Sequence, residues 1–315
     1  MGKVVVFGSF VVDLMARSPR LPIDSETVRG SLFKMGPGGK GFNQCVAAHK
    51  AGADVIMVTK LGRDSFADVA LDVMKEWGMP QDCLMFSDSV ETGIALILVD
   101  EKTSHNEIVI VPGACDTITP EEVANMKEVI REAEYVLLQL EVNQDANEMI
   151  AEMAREYGCK VIVNTAPYTP VTDEFLSKVY MVTPNEVEVG EMTGINVVDL
   201  ASAKKAAEYF YKRGVQVVVI TLGSQGVFVS CDGKEKIIPA FEVNAIDTTG
   251  AGDAFNGGLL AALSKGNDIW EGVRFANALA ALSVQRLGTT PAMPTMEEIE
   301  LFLAEHGERL SQVEH

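Results

Sequence analysis

"KVVVFGSF", residues 3–10, is a β-branched apolar run that stops at glycine and serine. So short and continuous a run, closed by turn residues, reads as a strand buried on both faces. The same form returns in "ADVIMVTKLG" (53–62), "EYVLLQLE" (134–141), "CKVIVNTA" (159–166), "VYMVTPNE" (179–186) and "VQVVVITLGSQG" (215–226). Helical patterns separate the runs, at 40–51, 64–77, 120–133, 145–157 and 199–213. Strands alternating with helices predict a parallel sheet covered on both faces. In such sheets ligands sit beyond the carboxyl ends of the strands. The polar strand ends are therefore expected to converge on one crevice.

Two stretches break this rhythm. Residues 11–38 carry Pro19, Pro22 and short alternating segments without a helix, and residues 92–112 read as two strands joined by a polar turn. Together they could form a small second sheet, inserted twice into a large α/β domain made of 1–10, 39–91 and 113–315. A two-part insertion of that kind is suited to be a lid. An ordinary hairpin on the edge of the main sheet is the alternative.

The 315 residues carry a formal net charge of −19. Such a surface repels nucleic acid and anionic membranes, so an anionic ligand must be held by local devices. Five scattered cysteines without a C-x-x-C, and four histidines (His49, His105, His306, His315) without ligand spacing, indicate neither a disulfide frame nor a zinc site. The first apolar run has neither the flanks of a signal peptide nor the length of a membrane span. The expectation is a cytoplasmic protein with reduced thiols.

"DTTGAGDAF" (247–255) sets small residues and an acid before an apolar helix. Glycines admit a ligand close to the backbone, and unpaired N–H groups at the helix start carry partial positive charge. The combination suits an anion, or the charge that develops in phosphoryl transfer. Asp253 could then accept the proton of an attacking hydroxyl; it could equally cap the helix. "GPGGKGFNQ" (36–44) has the G-x-G-x-x-G spacing, but Pro37 and its place outside the first βα turn exclude a dinucleotide site. Lys40 is followed by glycine, which excludes a Walker loop. A flexible backbone with Lys40 and Asn43 fits a hydroxylated small molecule, or a plain helix entry. Asn185 and Glu188 in "TPNEVEVGEMTG" (183–194) share a helix face and could hold a hydrated Mg²⁺ beside phosphates, or cap the helix with a solvated Glu188. "TLGSQG" (221–226) is a small-residue turn fit to face a ring or a phosphate, or an ordinary turn. Asp13, behind a buried run, needs a partner: a sugar hydroxyl, or Lys40 or Arg17.

In order and placement, "GSFVVD", "GGKGFNQ", "TPNE", "TLGSQG" and "DTTGAGDAFNGG" resemble the motifs of the ribokinase-like (phosphofructokinase-B type) carbohydrate kinases, from about Val4 to Pro294. The resemblance implies a three-layer α/β/α sandwich around a mostly parallel sheet, with a small β-sheet lid. It implies transfer of the ATP γ-phosphoryl group to a sugar CH₂OH, with Asp253 as base and the amides of Gly250, Ala251 and Gly252 as anion hole. Asp13, Gly39, Lys40, Gly41, Asn43 and Glu141 would bind the sugar. Asn185, Thr221, Gly223, Ser224, Gly226, Gly252 and Asn277 would line the nucleotide site, with Glu188 holding Mg²⁺ through water. A monovalent cation, K⁺, would lie by Asp247, Thr249, Ser283, Arg286, Gly288 and Ala292. Departures concern the sugar. Val11 stands where ribose kinases place asparagine, as in 2-deoxyribose kinases, and Phe42 replaces alanine and is expected to narrow or reshape the same pocket. Asn277 replaces a frequent histidine and Ala292 a serine. Ribose is the expected acceptor, with 2-deoxyribose or a nucleoside as alternatives and a silent sugar-binding regulator as the rival. The lid is expected to leave one face, with Ile94, Leu96 and Leu98 or their alternates, to be covered in a homodimer.

Overall fold

The computed structural model describes residues 2–103 and 105–310; His315 lies outside them. In chain order the strands are β1 (Lys3–Phe7), β2 (Val11–Ser18), β3 (Leu32–Gly38), β4 (Val55–Gly62), β5 (Leu84–Ser87), β6 (Thr92–Asp100), β7 (Asn106–Gly113), β8 (Ala133–Leu138), β9 (Lys160–Val163), β10 (Met181–Val182), β11 (Val217–Thr221), β12 (Val227–Cys231) and β13 (Lys234–Ile238). The helices are α1 (Lys40–Lys50), α2 (Ser65–Glu76), α3 (Pro120–Asn125), α4 (Lys127–Arg131), α5 (Gln144–Glu156), α6 (Asp173–Leu176), α7 (Glu186–Thr193), α8 (Leu200–Tyr211), α9 (Ala251–Ser264), α10 (Ile269–Ser283) and α11 (Met296–Leu310).

Nine strands form the large sheet in the order β13-β12-β11-β10-β9-β8-β1-β4-β5. It is parallel from β5 to β11, and β12 and β13 add an antiparallel edge. That edge departs from the parallel expectation for a local reason. Asp232 and Gly233 both take positive φ, the condition for a two-residue hairpin turn that sends the chain straight back. Alternate residues of β1 enter different cores: Val4 and Val6 face one cluster, with α1 and α9, while Val5 and Phe7 face the other, with α5 and α8. The sheet is thus covered on both faces, and its strands are apolar throughout for that reason.

Local signals set the helix starts. Asp64 accepts from the N–H groups of Phe66 and Ala67 at the head of α2, and Thr119 with Glu122 forms a capping box at α3 behind Pro120. The helix expected over 120–133 is broken at Met126 into α3 and α4. Val123 and Ile130, seven residues apart, both reach the core.

The four strands β3-β2-β6-β7 make a separate sheet. Asp13 stands opposite Gly36 on β3 and Ala95 on β6, and Ile94 opposite Val111 on β7. The hairpin of β6 and β7 therefore joins β2 and not the edge of the large sheet. By strand alternation Val11, Asp13 and Met15 share one face; Leu14, Met35, Leu96 and Val109 share the other. Met35, Leu96, Val109 and Val111 are exposed, as is Phe33. Among the described residues no helix is long and apolar enough to cross a membrane.

Candidate active site

The carboxyl ends of β9, β10 and β11 open beside the start of α9, and a cleft of about 190 Å³ lies there. Its wall includes Lys40, Asn164, Thr183, Asn185, Glu188, Thr221 and the turn Thr248–Asp253. The polar ends of these three strands converge there, as the strand-helix alternation led one to expect.

α9 begins without a side-chain cap. Gly250 is its N-cap, in a left-handed conformation (φ 75°) that a Cβ would strain. The amide of Ala251 donates to the Thr248 carbonyl at 3.2 Å; those of Gly250 and Gly252 have no protein acceptor among the described residues. Asp253 follows in the first turn, and it does not cap the helix. Its Oδ2 accepts from Asn43 Nδ2 at 3.0 Å and its Oδ1 from Gln44 Nε2 at 2.9 Å, both groups carried by α1. The carboxyl group is 6% exposed and borders the cleft. Burial pushes its pKa up, and Lys40, Gln44 and Asn43 pull the other way. The result is a carboxyl group that borders the cleft and is held at both oxygens.

Lys40 opens α1 beside three acids. Burial pulls its pKa down, but Asp253, Glu141 and Glu188 outweigh this and hold it above the usual lysine value. Glu141, just beyond β8, accepts from Ser9 Oγ at 2.5 Å and from the Lys40 amide at 2.8 Å. Burial pushes the Glu141 carboxyl up despite Lys40. Asp13 is pushed up to about 7, by burial first and then by Glu141 and Asp253. Neither Lys40 nor Arg17 forms an ion pair with it; the carboxyl lies over Gly38, where a Cβ would sit 2.1 Å from Oδ1. Asp13 is thus a half-buried acid with no cation at hand.

Glu188 caps its helix, but it is not the solvated cap expected. Asn185 and Glu188 form a capping box on α7, but Glu188 is buried against the cleft and not solvated. Thr165 Oγ1 also donates to it, at 3.0 Å. Among the described residues no group of three acids, histidines or cysteines could hold a metal alone. One buried carboxylate on a phosphate-sized cleft still fits Mg²⁺, which keeps its waters and takes few protein ligands.

Other expected residues are scattered. Thr221 pairs with Asn185 as a bridge and borders the cleft, whereas Gly223, Ser224 and Gly226 form the tight turn between β11 and β12 outside it. Asn277, buried on α10, donates to the Pro239 carbonyl. Asp247 accepts from the amides of Thr249 and Gly288, both at 3.0 Å, which brings these three together. Burial of Asp247 works against these bonds, yet they hold its pKa below the usual value. Ser283 turns its hydroxyl back to Ala280, Arg286 pairs with Glu298, and Ala292 is buried.

Phe42 corrects the sequence expectation. It has no exposed surface and packs edge-to-face on Phe10, ring centroids 5.0 Å apart, inside the core. It fills the space beneath α1 and does not itself border the cleft. Val11 is also buried, at 5% exposure, beside Gly93 on the face that carries Asp13. Gln44, Asn164, Thr183 and Asn256 had no assigned role in the sequence reading. Asn164 and Thr183 were legible as polar strand ends; Gln44 and Asn256 sit inside the motifs but needed the tertiary contact.

The profile described as "pfkB family carbohydrate kinase" matches residues 1–296. The chain is 39% identical over 300 residues to a ribokinase of Haemophilus influenzae, covering 95% of this chain and 98% of that one. It is 33% identical over 302 residues to a deoxyribokinase of Salmonella typhi, covering 96% and 98%. Its fold matches the structure of Arabidopsis thaliana ribokinase complexed with ribose and ATP, with a TM-score of 0.89, 29% identity, and 96% and 98% of the two chains covered.

Proposed function

Because the chain belongs to the pfkB family of carbohydrate kinases and is an ATP-dependent sugar kinase, we propose that it transfers the γ-phosphoryl group of ATP to the CH₂OH of D-ribose. The observation that carries the reading is Asp253: buried, bordering the cleft, held by two amide donors and lying beside a helix start with free N–H groups. The carboxylate takes the proton of the attacking hydroxyl, and the amides of Gly250 and Gly252 receive the charge that grows on the migrating phosphoryl oxygens. Lys40 adds a cation at the same place. Asp13, Gly39, Gly41, Asn43 and Glu141 grip the sugar, and the small sheet closes over it. The nucleotide runs from Gly252 past Asn185 and Thr221 toward Gly223, Ser224, Gly226 and Asn277.

Mg²⁺, held through water by Glu188, would supply charge neutralisation between the phosphates. K⁺ would sit by Asp247, Thr249 and Gly288, with carbonyls of Ser283 and Arg286; Ala292 offers no hydroxyl there. The apolar outer face of the lid, with Met35, Leu96, Val109 and Val111, is covered by a second copy of the chain. Five unpaired thiols suit the reducing cytoplasm.

A second reading has its own observation. Val11 cannot hydrogen-bond a hydroxyl, and it lies next to Asp13 on the sugar-facing side of β2. A 2-hydroxyl left unpaired there costs about 1–3 kcal/mol, which favours 2-deoxyribose. A turnover screen over pentoses, deoxypentoses, hexoses and nucleosides, with and without K⁺, tests both. The highest kcat/KM on ribose supports the first reading, and on 2-deoxyribose the second. Turnover confined to hexoses or nucleosides sinks both.

A further inference from the structure

Behind Asp253 runs a chain of buried amides. Gln44 is fully buried, one residue beyond the sugar-side Asn43. One hydrogen of its Nε2 goes to Asp253 Oδ1 at 2.9 Å and the other to Asn164 Oδ1 at 3.0 Å. Its Oε1 accepts from Gln139 Nε2 at 2.7 Å. Gln139 has no exposed surface, and its Oε1 rests on Gly8, where a Cβ would stand 1.9 Å away. Asn164 is fixed in turn by donating to the Thr183 carbonyl at 3.0 Å.

Every contact of Gln44 fixes which way its amide points. Asn164, its own amide held by the Thr183 carbonyl, turns an acceptor to Nε2; Gln139 turns a donor to Oε1, and its own Oε1 is buried without a hydrogen-bond partner. A flipped amide would set its oxygen against both Asp253 and Asn164, two acceptors. The N–H is therefore locked onto the carboxylate. None of these amides can take the proton from Asp253, so the network orients the base without competing with it.

Resting on the reading of Asp253 as base, we propose that Gln44 is a positioning residue: through Gln139 and Asn164 it locks the Asp253 carboxylate in the orientation that accepts the hydroxyl proton. The charged groups around that carboxylate are Lys40 on α1, Asp13 on β2 and Glu141 beyond β8, with Glu188 on α7 acting through Lys40. None of these is altered by changing Gln44, so a shift in the pH profile reports on the amide contact.

The test is steady-state kinetics of Gln44→Met, which keeps volume and removes the donor, with Gln139→Leu as a second variant that leaves Gln44 in place but frees its amide. In Gln44→Met, kcat falls about 10- to 100-fold, the scale seen when a supporting hydrogen bond behind a reactive group is removed. KM for ATP changes less than about threefold. The acidic limb of kcat moves to higher pH, because a carboxylate stripped of a donor is harder to ionise. Gln139→Leu gives a smaller change of the same sign. A purely structural role would lower the melting temperature and leave kcat and the acidic limb where they were; that result in either folded variant overturns the proposal. Should Gln44→Met fail to fold, Gln139→Leu decides alone. Asp253→Asn run alongside separates the two levels. If it is inactive while both amide variants are normal, only the role of Gln44 falls; if it is active, the reading of Asp253 falls.

Discussion

The burial of Asp13 costs the fold stability at neutral pH. Its pKa is 3.8 in the unfolded chain and about 7 in the folded one. A carboxyl raised by folding binds its proton more tightly in the native state, so stability falls as pH climbs between the two values. The cost is absent below about pH 4 and complete above about pH 7. At about 1.4 kcal/mol per pH unit the gap sets a ceiling of about 4 kcal/mol. Relaxation and water entry bring the expected cost to roughly 1–3 kcal/mol. Asp13→Asn keeps the shape over Gly38 and removes the charge. We predict that it is more stable than the parent by about 1–3 kcal/mol at pH 8, by less at pH 5, and equal to it near pH 4, while its KM for the sugar rises. Urea unfolding without ligand at pH 4, 5 and 8 measures this. A pH-independent difference, or a less stable variant at pH 8, would refute the reasoning.

Three further outcomes are expected. Val11→Asn restores a hydrogen-bonding group on the Asp13 face and shifts the kcat/KM ratio toward ribose over 2-deoxyribose by roughly 5- to 150-fold, the equivalent of about 1–3 kcal/mol; competition assays read it, and an unchanged ratio removes Val11 from the sugar site. Phe42→Ala empties a buried site against Phe10 and destabilises by about 3–5 kcal/mol in urea unfolding, with the sugar preference unchanged; altered preference would return Phe42 to the pocket. Met35→Lys with Val109→Lys puts charges on the outer lid face, so light scattering should show the monomer mass where the parent shows the dimer; a monomeric parent, or a dimeric variant, contradicts lid pairing.

The α/β architecture was legible because buried parallel strands leave an unmistakable pattern: continuous β-branched runs, each closed by a polar turn residue. The β12–β13 edge was not read, although "CDGK" (231–234) carries the Asp-Gly turn that makes it. Asp253, Lys40, Asn185 and Glu188, which border the cleft, stood out in the sequence because the chemistry of a helix start or strand end restricts which residues stand there. Gln44 was passed over and Phe42 was placed at the pocket, for one reason. Both lie on α1 in the same motif, and only packing decides which neighbour each side chain meets: Asp253 for one, Phe10 for the other. The sequence alone also could not tell a solvated capping Glu188 from a buried one, since the capping box looks the same in both.

The central claim is that Asp253 takes the proton of the attacking sugar hydroxyl. Turnover and ATP affinity of Asp253→Asn, measured on the same preparation, test it most directly. The account predicts a loss of at least about 100-fold in kcat with ATP affinity kept. Turnover within tenfold of the parent enzyme would contradict it.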